Sequence, residues 1–155
     1  MPQEIERKFL VTGDAWRSLG TGQRYCQGYL PTQDKRTVRV RIAGNQGYLT
    51  LKGPAVGLVR PEFEYPIPVE DAQAILATLC DRPFIEKVRY RVPLEPVVWE
   101  IDEFEGDNAG LILAEVELDS ENQTVEIPGW IGQEVTGDPR YYNASLAKYP
   151  FKDWQ

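Results

Sequence analysis

Glu4-Ile5-Glu6-Arg7-Lys8-Phe9 stands at the head of the chain, and its alternation decides how the rest is read. An extended strand points successive side chains to opposite faces. Glu4, Glu6 and Lys8 therefore share one face, and Ile5, Arg7 and Phe9 share the other. Two carboxylates and an ammonium in line are an odd outer surface, but they suit a site that holds a metal and a phosphate.

The pattern recurs along the chain. Gln23 to Leu30 reads as a strand with Tyr25, Gln27 and Tyr29 on one face, and Arg36 to Ile42 sets Arg39 and Arg41 against Val38, Val40 and Ile42. Gly44-Asn45-Gln46-Gly47 is a hairpin signal leading into Tyr48 to Lys52, where Thr50 and Lys52 share a polar face. Arg60 to Ile67 alternates Glu62 and Glu64 with Phe63 and Tyr65. Phe84 to Val92 aligns Lys87, Arg89 and Arg91, Val97 to Phe104 aligns Glu100 and Asp102, and Leu111 to Asp119 aligns Glu115 and Glu117.

Two segments change period. Ala72, Ile75, Leu76 and Leu79 form one helical stripe within Val69 to Leu79. Asp138-Pro139 is a helix start, an acidic cap before proline at the first helical position, and predicts a short helix over Arg140 to Lys148. Asp14 is placed to cap a turn through Ala15 to Leu19, with Gly20 as its stop. Eight strands joined by short connections predict a mainly β (α+β) fold: an eight-stranded antiparallel β-barrel with a few flanking helices.

The charged faces give four acidic pairs, Glu4/Glu6, Glu62/Glu64, Glu100/Asp102 and Glu115/Glu117, and a basic set of Lys8, Arg39, Arg41, Lys52, Lys87, Arg89 and Arg91. Same-face neighbours on a strand lie about 6–7 Å apart. Like charges at that distance repel by roughly 2–3 kcal/mol at an effective dielectric near 20, and by only ~0.6 kcal/mol in open water. Energy alone thus permits two arrangements. The charges face solvent around an ordinary half-buried sheet, or they converge inside the barrel as a tunnel for a metal-bound polyphosphate, which needs cations on its oxygens and oxygen ligands for Mg²⁺ or Mn²⁺. An eight-stranded barrel is wide enough for one small ligand.

At 155 residues, 42% of them hydrophobic, the chain predicts one domain spanning 1–155. A formal net charge of -7 argues against a nucleic-acid surface, which needs a basic footprint. No signal peptide or membrane span is legible, and Cys26 and Cys80 have no metal or redox spacing, so the expected setting is the cytoplasm. The absence of histidine removes the commonest general base and all histidine-based triads and metal sites.

The opening Glu4-x-Glu6-x-Lys8 resembles the signature of the CYTH superfamily, the triphosphate tunnel metalloenzymes. The ordered set Gln27-Gly28-Tyr29-Leu30, Val38-Arg39-Val40-Arg41, Leu49-Thr50-Leu51-Lys52, Glu62-Phe63-Glu64, Glu86-Lys87-Val88-Arg89-Tyr90, Glu100-Ile101-Asp102 and Glu115-Val116-Glu117 carries the resemblance across the chain. It continues through Glu134-Val135-Thr136-Gly137-Asp138 and Arg140-Tyr141-Tyr142-Asn143.

The resemblance implies an inward direction for the charges and hydrolysis of a triphosphate with Mg²⁺ or Mn²⁺. It implies that Lys8, Arg39, Arg41, Lys52, Lys87 and Arg89 grip the phosphates and that Glu4, Glu6 and Glu117 hold the metal. Glu62, Glu64, Asp102 and Glu115 are then candidates for a second metal or for orienting water, Glu64 and Glu115 among the catalytic set. Arg91 and Glu100 support these groups or balance charge. Proton transfer has two routes: a water activated by metal and carboxylates, which we prefer, or a lysine–tyrosine pair, for which Lys8 and Tyr29 are the match.

Inorganic tripolyphosphate is the expected substrate. Thiamine triphosphate or a nucleotide would need a recognition surface for its organic end, for which Trp16, Trp130 and Tyr141 are the available aromatics. A module that binds polyphosphate without cleaving it is the alternative from another class. The superfamily's bacterial adenylyl cyclases carry a His-Phe element that this sequence lacks. The expected partner is a small molecule, with no nucleic acid and no membrane, and the expected assembly is a monomer or homodimer.

Overall fold

The structure is a computed structural model that describes residues 2–154. Among these residues nine strands form one antiparallel sheet: β1 (Gln3–Val11), β2 (Thr21–Tyr29), β3 (Thr37–Ala43), β4 (Gln46–Lys52), β5 (Val59–Ile67), β6 (Ile85–Leu94), β7 (Val97–Phe104), β8 (Ile112–Glu117) and β9 (Ile131–Glu134). Their order is β5-β4-β3-β2-β6-β7-β8-β1-β9, and pairing of β5 with β1 closes the first eight into a barrel. That closing seam is short, running from Gln3↔Pro61 to Ile5↔Val59. The ninth strand, absent from the sequence reading, lies outside the barrel against the second half of β1. There the outward Arg7 forms a two-pronged ion pair with Glu134 at 2.8–2.9 Å.

The barrel is inverted with respect to an ordinary soluble one, because most of its apolar core lies outside the wall. Ile5, Phe9, Trp99, Ile101 and Val116 are the outward partners of the charged doublets, and they pack with Trp16 and Trp130. Trp99 stacks edge-on against Phe9 and Trp130 with ring centroids 5.6 and 5.9 Å apart. On the opposite side, α1 (Val69–Thr78) lays Ala72 and Leu76 on Val40 of β3. Strand β2 passes close beneath it. A Cβ on Gly28 would meet Leu76 Cδ2 at 2.8 Å and Cys80 Cβ at 3.0 Å, so a larger residue there would have to push these side chains aside. Each apolar cluster needs the strands to turn their charges inward, since a one-residue slip would exchange the faces.

A third cluster closes one end. Ile85, Phe104 and Leu113 continue the inward-facing rows of Lys87, Asp102 and Glu115, and they pack against Tyr141 and Leu146 of the C-terminal segment. That segment departs from the predicted helix over 140–148. A 3-10 turn at Pro139–Tyr141 is followed by Tyr142 in extended conformation (φ -69°, ψ 136°) and then α2 (Asn143–Lys148). Asp138 does cap the turn, accepting the Arg140 N–H at 3.1 Å. The break at Tyr142 turns the backbone so that Tyr141 and Asn143 both reach inward-facing lysines.

The turn near Asp14 is also shorter than expected, a single 3-10 turn at Ala15–Ser18. The Asp14 side chain makes no capping bond there. The fully buried Trp16 anchors the turn instead, donating Nε1–H to the Gly13 carbonyl at 3.1 Å. The hairpin between β3 and β4 turns at Gly44, whose φ of +61° suits glycine. No helix among the described residues is long and apolar enough to cross a membrane.

Candidate active site

The inward faces surround a cavity of about 1520 Å³. Of the residues expected to act, the structure brings Glu4, Glu6, Lys8, Tyr29, Arg39, Arg41, Lys52, Glu62, Glu64, Lys87, Arg89, Glu115 and Glu117 to its wall. They come from seven of the eight barrel strands; β7 adds Glu100. The convergence follows from register. Lys8 faces Glu115 across β1 and β8, Glu115 faces Glu100 across β8 and β7, and Arg39 faces Thr50, which faces Glu64, across β3, β4 and β5.

Asp102 is the exception. It is fully buried, does not line the cavity, and lies opposite Leu113 toward the closed end. Lys87 Nζ donates to its Oδ2 at 2.8 Å, and Arg89 donates to Oδ1 at 2.7 Å and to Oδ2 at 2.8 Å. Burial raises a carboxyl pKa, but Arg89 and Lys87 outweigh it here and hold Asp102 below the usual range. With both oxygens taken by cations, Asp102 is placed as the counter-ion that fixes Lys87 and Arg89.

The basic residues differ in how firmly they are engaged. Arg89 is held by Asp102 and reaches Glu115 and Glu100 at 3.4 Å. Arg39 donates Nη2–H to Thr50 at 3.1 Å and Glu64 at 3.3 Å, while its buried Nε–H has no acceptor among the described residues. Arg41 forms no ion pair among the described residues; its Nε–H goes to Gln27 Oε1 at 3.2 Å. Burial, then repulsion from Arg39 and Arg89, lowers the Arg41 pKa to about 10, which still leaves it charged at neutral pH. Lys87 is lowered to about 7, by burial against the opposing pull of Asp102, with Arg89 and Arg41 adding to the fall.

Lys8 behaves oppositely. Burial disfavours its ammonium, but Glu115, Glu6 and Asp102 prevail and raise its pKa. Its Nζ donates to the Tyr141 carbonyl at 3.0 Å. Among the described residues it shares no hydrogen bond with Tyr29, whose hydroxyl accepts from Gln27 at 2.8 Å. The Lys8–Tyr29 pair is therefore not directly bonded in this arrangement.

The carboxylates form two close pairs. Glu4 lies beside Glu62, with Lys52 Nζ 2.8 Å from Glu4 and 3.9 Å from Glu62. Burial, then Glu62, pushes Glu4 up to about 7 against the pull of Lys52. Glu6 lies within hydrogen-bonding reach of Glu115; burial and then Glu115 and Glu4 raise Glu6 well above the usual range. Burial opposes ionisation of Glu115 as well, yet Lys8 and Arg89 carry it well below that range. Glu117 is raised by burial, Glu4 and Glu100.

No three acidic residues among the described ones form a ready-made metal cage. The donor set nonetheless fits a hard divalent cation held by one or two carboxylates together with substrate oxygens. The repulsion that helps to raise Glu4 and Glu6 is one that a bound cation would relieve in a proton's place.

Three residues in this network went unassigned in the sequence. Tyr25 and Gln27 have the inward phase, which was legible, but carry no charge to mark them. Asn143 accepts the Lys87 ammonium on Oδ1 at 2.9 Å across 56 positions of sequence, and no local signal announces that contact. Trp16 and Trp130 lie in the outer core and Tyr141 in the closed end, so the aromatics considered for an organic group do not face the cavity.

Residues 2–146 match the family model described as CYTH domain. The chain is 51% identical over 155 residues to an inorganic triphosphatase of Acetivibrio thermocellus, covering 100% of this chain and 99% of that protein. It is 38% identical over 152 residues to an inorganic triphosphatase of Nitrosomonas europaea, covering 93% and 96% respectively. Among solved structures, the inorganic triphosphatase NE1496 superposes with a TM-score of 0.66 at 36% identity, covering 95% of each chain.

Proposed function

The chain belongs to the CYTH domain family, and we propose that it is a divalent-metal-dependent triphosphatase that cleaves inorganic tripolyphosphate to pyrophosphate and phosphate. One observation carries the reading. Arg41, half-buried and with no carboxylate partner among the described residues, stands beside Arg39, whose buried Nε–H has no acceptor among them, in the cavity that also holds the paired carboxyls. Arg41 thus lacks an anion of its own and Arg39, though paired with Glu64, keeps an unmet donor, and a chain of phosphates supplies both needs. The two full-length relatives named inorganic triphosphatase point to the same substrate.

On this reading Arg39, Arg41, Lys87 and Arg89 bind the phosphate oxygens from one side, and Lys8 and Lys52 from the other. Their hydrogen bonds fix the chain so that water meets the terminal phosphorus in line with the bridging oxygen. The new P–O bond forms as the bridging P–O bond breaks, and pyrophosphate leaves. Cations already in place stabilise the charge on the transferring group without reorganisation. Glu4, Glu6 and Glu117 would hold Mg²⁺ or Mn²⁺, which supplies charge neutralisation at the phosphate oxygens and a more acidic water. Glu62, Glu64 and Glu115 would orient the attacking water, whose proton passes to a carboxylate. Asp102 is not assigned to the metal.

Phosphate release from tripolyphosphate, ATP and thiamine triphosphate, each with Mg²⁺, Mn²⁺ or chelator, tests the proposal. Metal-dependent release selective for tripolyphosphate is expected. Tight binding of tripolyphosphate without turnover of any substrate would overturn the enzyme in favour of a binding module. Faster release from an organic triphosphate would overturn the substrate.

A further inference from the structure

Among the described residues, Tyr25 is the one neutral side chain of the cavity around which three cations gather. Its ring centroid lies 4.9 Å from the Arg41 guanidinium carbon, 5.1 Å from that of Arg89 and 5.9 Å from Lys87 Nζ. All three fall within the roughly 6 Å at which an aromatic face attracts a cation. The strand register puts it there: Tyr25 sits opposite Lys87 on β6, two positions from Gln27, which is opposite Arg41 on β3.

The three cations are not equally dependent on it. Lys87 and Arg89 share the buried Asp102. Among the described residues Arg41 has only the Gln27 side-chain oxygen and the Tyr25 ring, against burial and the repulsion of Arg39 and Arg89. Without the ring, Arg41 is free to swing away from its like-charged neighbours. An aromatic face attracts a cation without using its N–H donors, so those donors stay available to phosphate.

We propose that Tyr25 is a positioning residue for triphosphate binding, holding the Arg41 guanidinium, which has no ion-pair partner among the described residues, beside Lys87 and Arg89 in the arrangement that receives the phosphate chain. The inference rests on the tripolyphosphate reading above. It assigns Tyr25 a role through its ring face and none through its hydroxyl.

The test measures kcat and KM for tripolyphosphate with Mg²⁺, alongside melting temperature, for Tyr25→Phe and Tyr25→Leu, each with Arg41 intact and with Arg41→Ala. Tyr25→Phe keeps the face and should stay within about threefold of wild type. Tyr25→Leu should raise KM about tenfold, with a smaller change in kcat. With Arg41→Ala present, the Tyr25→Leu effect should shrink to under about threefold, because the two residues act as one unit. An unchanged KM, or an equal effect in both backgrounds, overturns the proposal.

If Tyr25→Leu does not fold, phenylalanines bearing one, two and three ring fluorines at position 25 replace it. KM should then climb stepwise as the face loses its negative potential, and a flat series overturns the proposal. A wild type that neither binds nor cleaves tripolyphosphate removes the underlying reading and this inference with it. An active wild type with a flat Tyr25 series removes only the inference.

Discussion

Glu4→Gln should make the metal-free protein more stable while making the enzyme worse. In the folded state Glu4 titrates at about 7, against 4.5 for an ordinary glutamate, with burial as the main cause and Glu62 the next. A folded pKa raised in this way means that the folded state holds a proton the unfolded chain gives up. Stability is therefore lost as pH rises from 4.5 through 7. The gap corresponds to about 3 kcal/mol once the pH is well above 7. Glutamine has no proton to lose and can still accept the Lys52 ammonium, which lies 2.8 Å from Glu4 in the native protein.

Because Glu62 takes up part of the shared charge, the gain expected for the metal-free protein at pH 8 is about 1–3 kcal/mol. In a chain of this size that is a rise in Tm of roughly 2–10 °C. At pH 5 the gain should fall below about 1 kcal/mol, since Glu4 is then protonated in the fold without cost. Thermal unfolding in chelator at the two pH values reads the stability, and phosphate release with Mg²⁺ reads the activity, which should drop by at least about tenfold. A variant that is destabilised equally at both pH values, or that keeps its turnover, would refute the placement of Glu4 as a repelled carboxyl awaiting a cation.

Asp102→Asn should leave Lys87 and Arg89 buried without their counter-charge. A loss of about 3–5 kcal/mol in urea unfolding is expected, with turnover falling because both cations move. A variant of native stability would mean that Asp102 is not the anchor. Arg7→Ala removes an exposed pair with Glu134 on the outside of the barrel. It should cost under about 1 kcal/mol and leave KM unchanged, as measured by urea unfolding and steady-state kinetics.

The sequence was most legible where alternation and charge coincide. Glu4/Glu6, Arg39/Arg41 and Lys87/Arg89 mark their strands and share a face whatever the closure. Which side of the wall that face takes was not readable from the pattern, because a half-buried sheet with charges in water alternates identically. Family resemblance supplied the direction, and the outer clusters around Trp99 and beneath α1 give its physical reason.

Position along the barrel was the second blind spot. Glu100 and Asp102 look like an equal pair, yet register puts Glu100 at the cavity and Asp102 beside Leu113 toward the closed end. Contacts between distant segments were the third. Neither the Asn143 amide on Lys87 nor the Tyr141 carbonyl on Lys8 leaves any local signal, and both depend on the chain breaking its helix at Tyr142. The short β9 escaped notice because four residues are too few for a period to emerge.

The central claim is that the charged barrel interior binds a metal and a triphosphate together. Anomalous diffraction from crystals grown with Mn²⁺ and tripolyphosphate tests it most directly. The account predicts a manganese peak inside the barrel, coordinated by oxygens of Glu4, Glu6 or Glu117 and of the phosphate chain, with the phosphates against Arg39 and Arg41. Manganese or tripolyphosphate bound only on the outer surface, with the interior unchanged, would contradict it.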